Sequence, residues 1–178
     1  MLTEGFPILY DTQITAQDDV AAAYQPGMIF LYRCGTGRTN LSLVKYVQLD
    51  NNGCDAGNAL VKNYATIKNY SVMKSAVTDG GGPISGIAAA TIASQYFGFM
   101  YIGGYVPSVL QSNTTASGEY LTVSASTAGC LTNDIASCFN IGSTQTFYNA
   151  SGMVIVGRAQ GVVASAGYGS IMLCGIWG

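Results

Sequence analysis

Residues 86–110 read GIAAATIASQYFGFMYIGGYVPSVL, the most apolar stretch of the chain, and no charged residue lies between Asp79 and Glu119. A run of about 20 apolar residues can cross a bilayer. Three structures therefore compete for it: a membrane helix, a buried helix over part of residues 87–93, or a strand–turn–strand unit. The flanks oppose the membrane helix. Asp79-Gly80-Gly81-Gly82-Pro83 precedes the stretch, and neither side carries the Lys or Arg cluster that sets orientation in a membrane. Gln95, Gly98, Gly103, Gly104 and Pro107 interrupt it. Phe97, Phe99 and Tyr101 recur at every second position, with Met100 and Ile102 on the opposite face. A period of two with aromatic residues is the signature of a strand. The stretch is therefore read as strands around a turn, with its aromatic face, Phe97, Phe99 and Tyr101, in the core or at a subunit interface.

Outward from this stretch, composition narrows the class. The chain has 178 residues, the length of one domain or of a domain with an arm. Only 9% of residues are charged, against about 25% in ordinary soluble domains. Low charge with 23 Gly and 12 Tyr fits a β-rich chain that presses much of its surface against neighbours. The plainer reading is a secreted β-domain with a neutral polar surface. The net charge of −2 supplies no basic field for nucleic acid. Six of the seven Lys and Arg fall between Arg33 and Lys74, and after Asp79 only Glu119, Asp134 and Arg158 remain. The nearly neutral C-terminal half is expected to pack on itself or on partner subunits.

Met1-Leu2-Thr3-Glu4 has no basic leader region and no long apolar run follows, so export is not expected. The sequons at Asn40, Asn69, Asn113 and Asn149 are then chance matches. The five cysteines, Cys34, Cys54, Cys130, Cys138 and Cys174, read as free thiols serving as small hydrophobes, although Cys130 and Cys138 are spaced to pair across a loop.

Residues 1–27 read as an N-terminal arm and short helix, and 28–178 as the β-rich body. Phe6, Leu9 and Tyr10 make the arm apolar, which suits docking on the body or on a neighbour. Thr15 can cap a short helix reaching Tyr24, with Asp18 and Asp19 in its first turn and Pro26-Gly27 as its stop. Met28 to Cys34 is a strand. Gly35-Thr36-Gly37-Arg38 lacks the spacing of a phosphate loop and reads as a hairpin turn. Ser42 to Leu49 is a strand with Leu43, Lys45, Val47 and Leu49 on one face, and Asp50-Asn51-Asn52-Gly53 turns it. Lys62, Lys68 and Lys74, interleaved with Tyr64 and Tyr70, read as solvated positions rather than a nucleic-acid face. Further short strands are expected near residues 57–62, 72–77, 120–124, 153–159 and 170–177, separated by Gly-rich turns. The fold class is all-β: a small barrel, tulip or sandwich with an extended arm and one short helix.

Catalytic chemistry finds little footing. With no histidine there is neither a Ser-His-Asp nor a Cys-His pair, and no imidazole metal ligand. The nine carboxylates are scattered, and Asp18-Asp19, the adjacent pair, has a helix-start role. No cofactor is expected, and the chain reads as a non-enzyme.

Four segments carry a resemblance. They are GNALVKNY at 57–64, ISGIAAATIASQYFGFMYIGGYV at 84–106, the Gly118-Glu119-Tyr120-Leu121 strand start, and VIVGRAQGVVASAGYGSIMLCGIW at 154–177. In order and in motif they resemble the head decoration, or capsid cement, proteins of tailed bacteriophages, over about residues 57–177. The matching positions are Gly57 to Leu60, Gly86 to Ala88, Phe97-Gly98-Phe99 with Gly103, Gly118 to Leu121, and Val156-Gly157-Arg158-Ala159 with Ile171 and Leu173. Residues 1–35 and 132–146 lie outside the pattern. The resemblance implies a β-barrel or β-tulip-like fold and a homotrimer on the outer surface of a phage head. There it would stabilise contacts between major capsid subunits. It implies a protein made in the host cytoplasm and resident in the virion, without catalysis, membrane or nucleic-acid partner. On this reading the arm, through Phe6, Leu9 and Tyr10, straps onto the capsid. The alternative is a phage fibre or receptor-binding domain whose exposed tyrosines recognise host glycan; a membrane β-barrel or pilin-like subunit stands third.

Overall fold

In the computed structural model the described residues are 7–9, 11–14, 21–34, 40–50, 52–80, 83–133 and 154–174. They form one eleven-stranded sheet that curls back on itself. Its strands are β1 (Ile8–Leu9), β2 (Ile29–Cys34), β3 (Asn40–Leu49), β4 (Ala59–Lys62), β5 (Ser71–Lys74) and β6 (Gly86–Ala88). They continue with β7 (Phe97–Gln111), β8 (Tyr120–Val123), β9 (Leu131–Thr132), β10 (Gly157–Ala159) and β11 (Gly167–Leu173). A single helical turn, α1 (Asp11–Ile14), and a 3-10 turn at Val77–Asp79 are the helical elements among the described residues. The chain is all-β, and none of its described helices is long and apolar enough to cross a membrane.

The stretch at 86–110 resolves into two strands of unequal length. Gly86–Ala88 pairs with β4 and β7, and a loop then leads into β7, 15 residues long. The strand runs through Gly103, Gly104 and Pro107, where the sequence suggested breaks, because the ladder shifts register there. Opposite β3, Leu43 pairs with Gly103 and Val44 with Tyr101, leaving Ile102 as the extra residue of a bulge. Gly104 just beyond it has φ +83°, and a Cβ there would collide with the Leu41 carbonyl. Pro107 lies opposite the second register shift, between Gly169 and Ile171 of β11, where the ladder does not need its missing N–H.

β7 is hydrogen-bonded along both edges. β6 and then β11 occupy one edge; β3 and then β9 occupy the other. Two circuits of strands therefore share it. One runs β3–β5–β4–β6–β7 and the other β7–β11–β10–β8–β9. They are closed loops of pairing in one irregular sheet rather than regular barrels.

Alternation along these strands separates two apolar clusters. Every strand of the first circuit sends at least one side chain to the smaller cluster: Val47 and Leu49, Leu60, Val72, Ala88, Met100 and Ile102. Ile92, from the loop before β7, seats against Gly98, where a Cβ would come within 2.7 Å of its Cδ1. The larger cluster lies on the other face and continues through the second circuit, with Val106, Val109, Leu121, Leu131, Ile171 and Leu173. Phe97, Phe99 and Tyr101 belong to this cluster and are all buried within the single chain. Phe99 is at its aromatic centre, with ring centroids 5.6 Å from Tyr24, 5.6 Å from Phe30 and 5.1 Å from Tyr46.

The N-terminal region differs from the expected arm and helix. β1 adds to β2 in parallel, Ile8 beside Leu31 and Leu9 beside Tyr32. Residues 15–20 lie outside the described part, and residues 21–24 are not helical. Tyr24 follows the core rather than helix propensity. Tyr24 packs edge-on against Phe30 and Tyr46, and the Ala23 N–H donates to the Tyr46 hydroxyl at 3.2 Å.

Truncating Phe99 to Ala removes the ring shared by these three contacts. The expected loss of unfolding free energy is about 3–5 kcal/mol. Urea denaturation of Phe99→Ala beside the parent chain measures it, and a loss below about 1 kcal/mol contradicts the central role given to this ring.

Candidate functional site

Three surface features present themselves. The first is built on β3, whose outer edge changes partner midway. β2 pairs with it as far as Ile29 opposite Lys45, and β5 takes over at Gln48 opposite Ser71. Where β2 gives way to β5, a cavity of about 960 Å³ opens beside the smaller cluster. Ile29, Tyr64 and Met73 offer it accessible apolar surface, the buried Val72, Met100 and Ile102 of the smaller cluster also border it, and Lys45 and Lys62 reach the same space. Lys45 sits in a cross-strand row between Ile29 and Met100. Half-burial there, and secondarily the Lys62 ammonium, lowers its pKa from the ordinary lysine value. Asp79 also lines the cavity, but its Oδ2 accepts the Ala76 N–H at 2.7 Å across the 3-10 turn.

The second feature is an apolar row at the N-terminal end of the sheet. Ile8, Leu31 and Leu43 stand in register across β1, β2 and β3, with Leu41 on the same face. Ile8 and Leu41 are each 52% exposed. The third is a row across the C-terminal strands. Tyr120 of β8, Arg158 of β10, Met172 of β11 and Tyr105 of β7 stand side by side. Tyr120 and Met172 are exposed, and the Arg158 guanidinium lies 5.8 Å from the Tyr120 ring centroid. Arg158 Nε also donates to the Gly118 carbonyl at 2.7 Å, which fixes the cation in the row.

The residues singled out in the sequence distribute as follows. Phe97, Phe99 and Tyr101 face the inner core, so their side chains are closed to a partner subunit. Leu9 is 3% exposed and belongs to the same core. A strap built on Leu9 is therefore corrected: β pairing turns that side chain inward, and its neighbour Ile8 faces out. Phe6 and Tyr10 lie outside the described residues. Lys62 and Lys68 sit over their neighbours Tyr64 and Tyr70, at 5.7 and 5.9 Å, on exposed positions. Cys54 and Cys130 are buried free thiols; burial pushes the first up to about 11 and raises the second, so both stay protonated at neutral pH. Cys138 lies outside the described residues. Among the described residues no three acidic or cysteine side chains converge to hold a metal ion.

Neither outer row was read from the sequence, because each is assembled from strands far apart in the chain. Lys45 did leave a signal: a lysine within the alternating row Leu43, Lys45, Val47, Leu49. Comparison with models of known protein families gives no match, and comparison with curated proteins gives none.

The depressed Lys45 pKa has a sign. Below the lowered value both folded and unfolded chains carry the charge, and the full cost of partial burial stands. Stability attributable to this group rises with pH through the window from the lowered value to the ordinary 10.5. Lys45→Met is therefore expected to raise the melting temperature by about 2 °C at pH 7. The advantage should shrink at pH 10. Thermal unfolding at the two pH values checks both statements.

Proposed function

We propose that this chain is a structural virion protein, a capsid cement protein that binds the outside of a phage head as a homotrimer and ties major capsid subunits together. The observation that carries this reading is two patches of exposed apolar side chains, Ile8 with Leu41 and Tyr120 with Met172, in a chain with 9% charged residues. Contiguous exposed apolar side chains on a folded body mark contacts with other proteins. Two separate rows suit two separate contacts, one between copies and one with the shell. The Tyr120–Arg158–Met172 row lies in the nearly neutral C-terminal half. It has the aromatic and arginine composition of an interface core, and we assign it to the trimer. The Ile8–Leu31–Leu43 row, with Leu41, is assigned to the capsid, with Ile8 taking the role first given to Leu9. The motif resemblance over residues 57–177 supports the same assignment, and the role needs no catalytic group.

The glycan-binding alternative draws on one observation. Tyr64 is 81% exposed with Lys62 against its ring, a platform on which a sugar could stack. Free protein that adsorbs to host cells and blocks infection would favour it.

Met172→Glu is expected to dissociate the trimer while leaving a folded monomer, by sedimentation and circular dichroism. Leu41→Glu is expected to leave the trimer intact and lower its occupancy on purified virions at least about tenfold, as for loss of an interface anchor. Parent protein that sediments as a monomer, or fails to bind capsids, overturns the reading.

A further inference from the structure

The cavity between β2 and β5 plays no part in the proposed virion contacts, and its chemistry is specific. Its accessible apolar wall is Ile29, Tyr64 and Met73, with the buried Val72, Met100 and Ile102 behind, and two ammonium groups, Lys45 and Lys62, stand at it. Lys45 is held there by its strand: Ile29 and Met100 flank it in register, so its charge emerges from an apolar row. The charge that acts on it most strongly is the like charge of Lys62. Asp79, the acidic residue on the wall, has one carboxylate oxygen engaged by the Ala76 N–H. A half-buried cation beside a second cation is stabilised by a mobile anion more than by water. The volume, about 960 Å³, is in the range of small-molecule sites.

We infer that this cavity is a binding site for a small organic anion, a carboxylate on an apolar body, with Lys45 and Lys62 holding the carboxylate and the accessible apolar side chains Ile29, Tyr64 and Met73 covering the hydrocarbon. Two cations alone would suit inorganic phosphate. The apolar wall selects instead for an amphiphile, since burying that surface adds affinity that phosphate cannot gain. The inference does not rest on the virion role: the cavity is formed within the single chain.

The test uses octanoate, octanol and inorganic phosphate as probes of the full chain at pH 7, followed by calorimetry and by NMR of backbone amides. Octanoate is expected to bind one per chain with a dissociation constant of about 1 mM or tighter, the ordinary efficiency for so few atoms. Octanol and phosphate should each bind at least about tenfold more weakly, lacking one half of the recognition. Lys45→Met, folded and slightly more stable once the half-buried charge is gone, should lose at least about tenfold in octanoate affinity. Lys62→Met should also lose affinity. Lys68→Met removes an exposed lysine that does not line the cavity and should bind octanoate unchanged. Octanol binding as well as octanoate, phosphate binding better than octanoate, or Lys45→Met binding like the parent chain each overturns the inference. So does an equal loss in Lys68→Met, which would mean that overall charge rather than the site governs binding.

Discussion

The fold depends on one strand that takes partners on both of its edges and so belongs to two circuits of pairing. β7 gives its first half to β3 and β6 and its second half to β11 and β9. A strand so placed has no solvated edge at its centre, and its side chains are covered on both faces. That explains why residues 97–103 are buried without exception and why the sequence there looks as apolar as a membrane span. Lack of charge in this stretch is the chemistry of a central strand with a cluster on each side. Gly98 and Gly104 are the points where neighbours press closest: a loop isoleucine against the first, a backbone carbonyl of β3 against the second.

What the sequence made legible follows from what is local. The two-residue period of Phe97, Phe99 and Tyr101 is written in consecutive residues, and so is the turn at Gly53, which has positive φ. The all-β class came from those signals. The continuity of β7 was hidden because Gly and Pro were read as punctuation. Here the ladder skips a residue near each, and the bulge that accommodates Gly104 depends on where β3 lies. The helix read over residues 15–24 fails at its described end for a similar reason. Tyr24 is drawn into a ring of aromatics contributed by β2, β3 and β7. The burial of Leu9 likewise depends on β2, 20 residues further along the chain.

The candidate sites show the same division more sharply. Lys45 could be found by asking why a lysine interrupts an apolar alternation. Its partner Lys62 could not, since no spacing rule relates the two positions. The rows Ile8–Leu31–Leu43 and Tyr120–Arg158–Met172 exist through register alone. In the linear chain their members are ordinary strand residues. The apolar rows and the cationic cavity are thus both products of pairing.

The position of β7 also bears on how the chain acquires its fold as it is made. β3, β4, β5 and β6 all precede β7, so the first circuit can close once residue 104 is available. The second half of β7 must then wait for β11, which begins more than 50 residues later. Until it emerges, the backbone from Gly104 to Gln111 offers one unsatisfied edge carrying Val106 and Val109, the kind of template on which nascent chains pair with each other. Long-range pairing of this sort is slow to form. The shared strand that unites the two circuits in the finished protein therefore sets the interval during synthesis when the chain is most open to misassembly.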